Sequence, residues 1–390
     1  MARDYITGTW ALIGAVIATA ALSDIPKLTA QQSQGIWISP SELAQRPMSG
    51  AAWTKLNNEA SQSCGQPDLE DGYDPANVCI LAKALVFART GAESLRGDVH
   101  TALSSVVSLY SHSYTATALY LGRELGAYVL AADLIDLRGH DPVLDAEFRD
   151  TLRFLRTAPA GGGGVKNLVE CHEKRPNNWG THCGASRAAV AAYLGESAEL
   201  ARVAQVLKGW LGDRSSYAGF SYGELWWQAD PSALVGINPS GAIRDGHSID
   251  GVLPDDQRRS GAFVWPPPKE NYVYEALQGA LLQAILLRRA GYDAFDWQDQ
   301  ALLRAFNWLH NQADFPAEGD DTWQPHVMNF FYGTSFPAPV PARPGKGFGW
   351  TDWVYGTGTA SPLSPTAVSN IRLISAIMPP VSAVQRAGPR

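Results

Sequence analysis

Residues 118–134 read ALYLGRELGAYVLAADL, and within them Ala118, Leu121, Leu125, Tyr128, Val129 and Ala132 recur at helical spacing. That spacing lines one face of an α-helix with apolar side chains. Residues 274–287, YEALQGALLQAILL, repeat the pattern through Tyr274, Leu277, Leu281, Ala284 and Leu287. Further helices are expected near Pro75–Arg89, Val143–Arg156, Gly184–Tyr193, Ala198–Leu211 and Trp297–Gln312. In WISPSELAQRP, the run Ser39-Pro40-Ser41-Glu42 has helix-start chemistry after a strand-like approach. Alternating strand patterns are sparse, and glycine- and proline-rich loops such as APAGGGGVKN and VWPPPKENY separate the helices. The expected fold class is therefore all-α. Successive helical hairpins over this length must close around a shared core, as an incomplete α/α toroid with long active-site loops does. No fixed-period repeat is visible, which argues against a regular solenoid.

The chain has 390 residues, of which 45 % are hydrophobic and 18 % charged, enough for a large buried core. Its formal charge is −7, without any lysine- or arginine-rich run, so nucleic acid is not an expected partner. The apolar stretch from Trp10 to Leu22 is too short to span a bilayer. With the small-x-small pattern Ala18-Thr19-Ala20 toward its end, residues 1–23 read as a secretory signal peptide. The expected domain runs over 24–378, followed by a disordered tail at 379–390. The mature chain is expected to be secreted or periplasmic, a monomer, and without a membrane segment. Four cysteines fit that compartment: Cys64 with Cys79 and Cys171 with Cys183 is the simplest of three connectivities. A zinc site on Cys171-His172 and His182-Cys183 is the rival, but its intervals match no common finger pattern.

Two stretches carry candidate chemistry. In KRPNNWGTHC, residues 174–183, Pro176 disfavours helix at Arg175 and a helical pattern follows, so Asn177–Cys183 lies at a helix entrance. Asparagine is favoured at such caps for structural reasons alone, and one of the pair is expected to do only that. Downstream, residues 245–279 hold His247, Asp250, Asp255, Asp256, Arg258, Arg259, Lys269, Tyr272 and Tyr274. A tyrosine at a helix mouth among cations suits a proton-abstracting base. The bland alternative is two tyrosines on a helix face, with the arginines paired to Asp255 and Asp256.

Together and in this order, these stretches resemble the alginate-lyase superfamily of α/α-toroid polyuronate lyases. Asn177-Asn178-Trp179 is similar to that family's Asn-Asn-His element. Residues 250–259, DGVLPDDQRR, are similar to its DGS-x-P-x-E-x-x-R, with Asp256 and Arg259 at the acidic and basic ends. Tyr272-Val273-Tyr274-Glu275-Ala276-Leu277 is similar to its Y-A-L-E-x-L, and WISPSELA resembles the approach to its first helix. The resemblance implies a secreted lyase that cleaves a β-1,4-linked polyuronate, alginate or glucuronan, by β-elimination, without a cofactor or metal. It implies that Asn178 and Arg259 neutralise the uronate carboxylate, and that Tyr272 serves as base and then acid. Where the family has histidine this chain has Trp179, so His182 or His247 is expected to take its work. The family's second arginine has no counterpart, and Lys269 is the expected substitute. Asn177, Trp179, Arg258, Lys269, His247, Tyr274 and Trp226 complete the expected substrate contacts. The rival readings are a toroid glycoside hydrolase working with a carboxylate pair drawn from Glu224, Asp230, Asp320 and Asp321, and a non-catalytic polyuronate-binding protein.

Overall fold

A computed structural model describes residues 35–356. The expected signal peptide at 1–23 and tail at 379–390 lie outside them. The described residues are mostly helical. In chain order the helices are α1 Pro40–Ala44, α2 Ala51–Ala60, α3 Ala76–Thr90, α4 Glu93–Tyr110, α5 Ala118–Leu134, α6 Leu137–His140, α7 Pro142–Thr157, α8 Leu168–Lys174, α9 Asn178–Leu194, α10 Ser197–Trp210, α11 Pro254–Gln257, α12 Val273–Arg289, α13 Trp297–Asn307, α14 Gln324–Tyr332 and α15 Thr351–Val354. Strand among the described residues is confined to a small antiparallel hairpin, Ile243–Arg244 with His247–Ser248.

The sequence patterns place most of these helices within a few residues. Ser39 caps α1 through a capping box with Glu42, as its chemistry suggests. Two differences matter. α9 begins at Asn178, six residues before the expected start at Gly184, because Asn177 already supplies its cap. α13 stops at Asn307 and continues as a π-helical turn over Trp308–Gln312. Helices α2, α4, α8 and α14, and the single turns α6, α11 and α15, are additional to those expected.

Four helices are buried around most of their circumference: α3, α5, α9 and α12. By contrast, α7 buries one face. A helix apolar on all sides belongs inside the protein, and one with a single apolar stripe belongs on its surface. The most extensive packing runs along a row, α3 to α5 to α9 to α12. From α12 the contacts continue through α14 and α15 to α2, which packs on α3. Hydrogen bonds tie this return: Trp350 Nε1 to the Val78 carbonyl at 3.0 Å, and Asn77 Nδ2 to the Lys346 carbonyl at 2.6 Å.

The row is tight where glycine removes the side chain. A Cβ on Gly279 of α12 would fall well under 3.0 Å from the backbone of Thr181 and His182 on α9. Further along, Gln283 of α12 donates to the Thr181 carbonyl at 2.9 Å and lies against Gly184. Contacts thus advance together along both helices, so α9 and α12 run parallel. α5 and α9 do likewise: Cys183 Sγ lies 3.2 Å from the Ala118 carbonyl, and Ser186 Oγ donates to the Gly122 carbonyl at 2.8 Å. The consequence is positional. The N-terminal ends of α5, α9 and α12 gather at one end of the row.

Both disulfides form in the local pairing, Cys64–Cys79 and Cys171–Cys183. The second ties α8 to α9, and its sulfurs are therefore not free as zinc thiolates. No helix among the described residues is long and apolar enough to cross a membrane.

Candidate functional site

Local chemistry explains why Asn178 opens α9. Pro176 leaves Arg175 extended (φ −95°, ψ 116°), and the buried Trp210 indole holds the Pro176 carbonyl at 2.8 Å. Asn177 is also extended, and its Oδ1 accepts from the Trp179 N–H at 3.2 Å. Its Nδ2 donates to Asp255 Oδ2 at 2.9 Å. Asn177 is fully buried with both ends of its amide engaged. The expectation that it contacts substrate is corrected: it is the structural member of the pair.

Asn178 lies at the junction of the two sequence stretches. Its backbone N–H donates to Asp256 Oδ1 at 3.1 Å. Consecutive asparagines at the start of α9 thus meet consecutive aspartates on α11, Asn177 with Asp255 and Asn178 with Asp256. The Asn178 side chain itself is differently placed: Oδ1 is buried without a partner, and so is Asp256 Oδ2.

Asp255 gathers the rest of the local frame. Its Oδ1 accepts from the Gly223 N–H at 2.8 Å and from Arg258 Nε at 2.9 Å. Arg258 also pairs with Glu224. Arg258, expected on substrate, has its Nε on Asp255 and its Nη1 on Glu224. Arg259, the next residue, is exposed, and its guanidinium lies over the Tyr272 ring at 4.9 Å from the centroid.

Tyr272 precedes α12. Asn271 turns the chain through a left-handed conformation (φ 67°), which asparagine tolerates better than most residues. Glu270 Oε2 then accepts from the Val273 and Tyr274 N–H groups at 3.0 and 3.3 Å, closing the helix start. This leaves the Tyr272 side chain 41 % exposed. Tyr274 points the other way. It is buried, and its hydroxyl donates to the Phe315 carbonyl at 2.8 Å and lies 3.0 Å from His310 Nε2. A substrate contact by Tyr274 is corrected; it is a core residue.

One turn along α9 from Asn178, His182 is buried, with Nε2 3.4 Å from Glu275 Oε2, within ion-pair range but without hydrogen-bond geometry. Burial holds this imidazole below its ordinary range, with Arg123 acting in the same direction and Glu275 against both. Glu275 in turn accepts from Arg123 Nη2 at 2.7 Å and lies 4.0 Å from Lys346 Nζ. Burial pushes the Glu275 carboxyl up, but His182, Arg123 and Lys346 outweigh it and hold it at about 2. The Arg123 guanidinium and the Lys346 ammonium each lie 5.2 Å from the Tyr73 ring centroid. His182 therefore belongs to a charged layer beneath Asn178 and Tyr272, rather than to an exposed surface.

The remaining expected contacts scatter. Trp179 packs under the glycine loop, where a Cβ at Gly162 or Gly163 would strike its ring. Arg175 Nη1 pins the same loop by donating to the Gly163 carbonyl at 3.1 Å. His247 stacks on Trp265 at 4.9 Å, while Trp226 is 41 % exposed and Trp227 fully buried. Lys269 is exposed. The acids nominated for hydrolysis are committed elsewhere. Asp320 pairs with Lys346 at 2.8 Å, Asp230 closes its own turn with Ser232, and half-buried Asp321 accepts from Gln278 and Gln324 at 2.8 Å each.

Sequence reasoning did not nominate Arg123, Glu270, Glu275 or Lys346. Arg123 and Glu124 interrupt the apolar run of α5, and charges within an apolar helix were the available signal. Lys346 had none. Among the described residues, no group of three His, Cys, Asp or Glu side chains is arranged to hold a metal ion. The candidate residues Asn178 and Tyr272 stand at the N-terminal ends of α9 and α12, Arg259 lies over the Tyr272 ring, and the Arg123–Glu275–His182–Lys346 ion group begins one turn along both helices. A scan against models of known protein families finds no match for this chain, and a search of curated proteins finds no relative.

Proposed function

We propose that this protein is a polysaccharide lyase, built as an incomplete α/α toroid, that cleaves a β-1,4-linked polyuronate by β-elimination. One observation carries the reading: two stretches distant in sequence put Asn178 and Tyr272 at the N-terminal ends of the parallel helices α9 and α12, with Arg259 against the Tyr272 ring. The closed circuit of helix contacts, from α3 through α12 and back by α14, α15 and α2, supports the toroid.

The C5 proton of a uronate is a weak acid, and its removal requires donors that stabilise the enolate-like carboxylate as charge develops. Asn178 and Arg259 are the donors in this scheme. Tyr272, as phenolate, takes the C5 proton; the C5 electron pair forms the C4=C5 bond, the C4–O4 bond breaks, and O4 takes the proton back from Tyr272. One residue can serve both steps when H5 and O4 share a face of the ring, as in mannuronate and glucuronate. Guluronate, with the two on opposite faces, would need a second group.

Polymannuronate, polyguluronate and glucuronan assayed by ultraviolet absorbance test the reading, since elimination creates a conjugated double bond and hydrolysis does not. Tyr272→Phe is expected to abolish that absorbance while binding persists. Undiminished rates in that variant, with loss in Tyr274→Phe, would refute the assignment. The hydrolase reading retains one residue of note. Burial holds the Glu270 carboxyl at about 7, despite the N–H groups of Tyr274 and Val273, a value suited to a general acid. Reducing ends released without absorbance would favour it.

A further inference from the structure

Asp256 is completely buried, yet among the described residues it has no ion-pair partner and receives one hydrogen bond, from the Asn178 N–H. An ionised carboxylate offers about four lone-pair sites and is costly to bury with one donor. A carboxylic acid needs fewer partners and carries a donor of its own. The two oxygens left without partners, Asp256 Oδ2 and Asn178 Oδ1, belong to the two residues that this hydrogen bond joins. A proton on Asp256 Oδ2 would supply the donor that the Asn178 carbonyl oxygen lacks. An amide whose oxygen is held inward must present its N–H groups on the other side.

We propose that Asp256 is a positioning residue: a neutral carboxylic acid that fixes the Asn178 amide with its oxygen inward and its N–H groups toward the substrate. The inference rests on the lyase reading for what Asn178 then does, but not for the proton. Burial pushes the Asp256 carboxyl well above the ordinary carboxylate range, and Asp255 beside it pushes the same way. The Asn178 N–H and Arg259 oppose the shift, Glu270 from the segment before α12 adds to it, and Arg175 before α9 is a further nearby charge.

The substitutions discriminate because asparagine copies the acid and not the carboxylate. In Asp256→Asn the carbonyl still accepts from the Asn178 N–H, and the new N–H replaces the acid O–H. Asp256→Ala removes both bonds. Losing one oriented donor to a developing oxyanion costs roughly 100-fold in turnover. Asp256→Ala is therefore expected to lower kcat about 100-fold with KM moved less than about threefold, and Asp256→Asn to restore kcat to within about threefold. A wild-type-minus-Asp256→Asn infrared difference spectrum at neutral pH should show a carboxylic-acid carbonyl band. That band needs no substrate and no folded Ala variant. Its absence, or an Asn variant as impaired as the Ala variant, would overturn the proposal. Failure of the wild-type chain to cleave any polyuronate would sink the lyase reading alone; the band would still decide the proton.

Discussion

Replacing Gly279 by alanine separates two effects of opposite sign. In a helix interior, glycine to alanine gains about 1 kcal/mol of helix propensity. Against that, the added Cβ falls well under 3.0 Å from the Thr181 and His182 backbone, so no rotamer change can relieve it. Helix α9 must move away from α12 by roughly 1 Å, and overpacking of that kind costs about 1–3 kcal/mol. A loss of the facing hydrogen bond from Gln283 to the Thr181 carbonyl adds about 1 kcal/mol. The clash wins, with a net destabilisation of about 2 kcal/mol, or a fall of about 3 °C in melting midpoint for a chain of this size. Turnover should fall further than stability, since Asn178 and Tyr272 sit at the ends of the helices being separated. Gly184→Ala is the internal comparison: its Cβ would meet the Gln283 amide, about 2.5 Å away, which can swing aside. Thermal melts of both variants check the reasoning. A Gly279→Ala protein as stable as wild type, or more stable, would refute the close parallel packing on which the site depends.

Other outcomes follow from the same geometry. Asn178→Ala should lower kcat more than it changes KM, because a donor to a developing charge matters most in the transition state; steady-state kinetics on the cleaved polymer read this. Arg202, with Arg187, holds the Glu173 carboxyl at about 2. Its folded value is depressed, so this stability is present above about pH 4.5 and lost as pH falls through about 2; partly exposed, it is worth about 1 kcal/mol. Glu173→Gln should flatten that acid limb in urea titrations. Glu270 has the opposite sign: raised to about 7, it favours folding below about pH 4.5 and that contribution is lost as pH rises to about 7. Glu270→Gln should remove the loss. Reducing the Cys64–Cys79 bridge, which closes 15 residues, should cost about 3 kcal/mol by loop entropy, measurable as a fall in urea midpoint.

The sequence by itself determined the helical class, the α1 capping box, the local cysteine pairing and a cap within Asn177-Asn178, though not which asparagine supplies it. Each of these depends on residues near one another in the chain, where periodicity, caps and short loops act. It also pointed to the segment holding Arg259 and Tyr272. What only the tertiary structure decided is which neighbouring residue does what. Arg258 and Arg259 are adjacent, yet Asp255 and Glu224 take one and leave the other on the Tyr272 ring. Tyr272 and Tyr274 differ by two residues, and entry into α12 turns one outward and buries the other against Phe315. Nothing local foretold that Arg123, His182, Glu275 and Lys346 would meet as one ionic floor, since they come from four separate parts of the chain. Long-range packing brings such charges together, and spacing along a sequence carries no record of that distance.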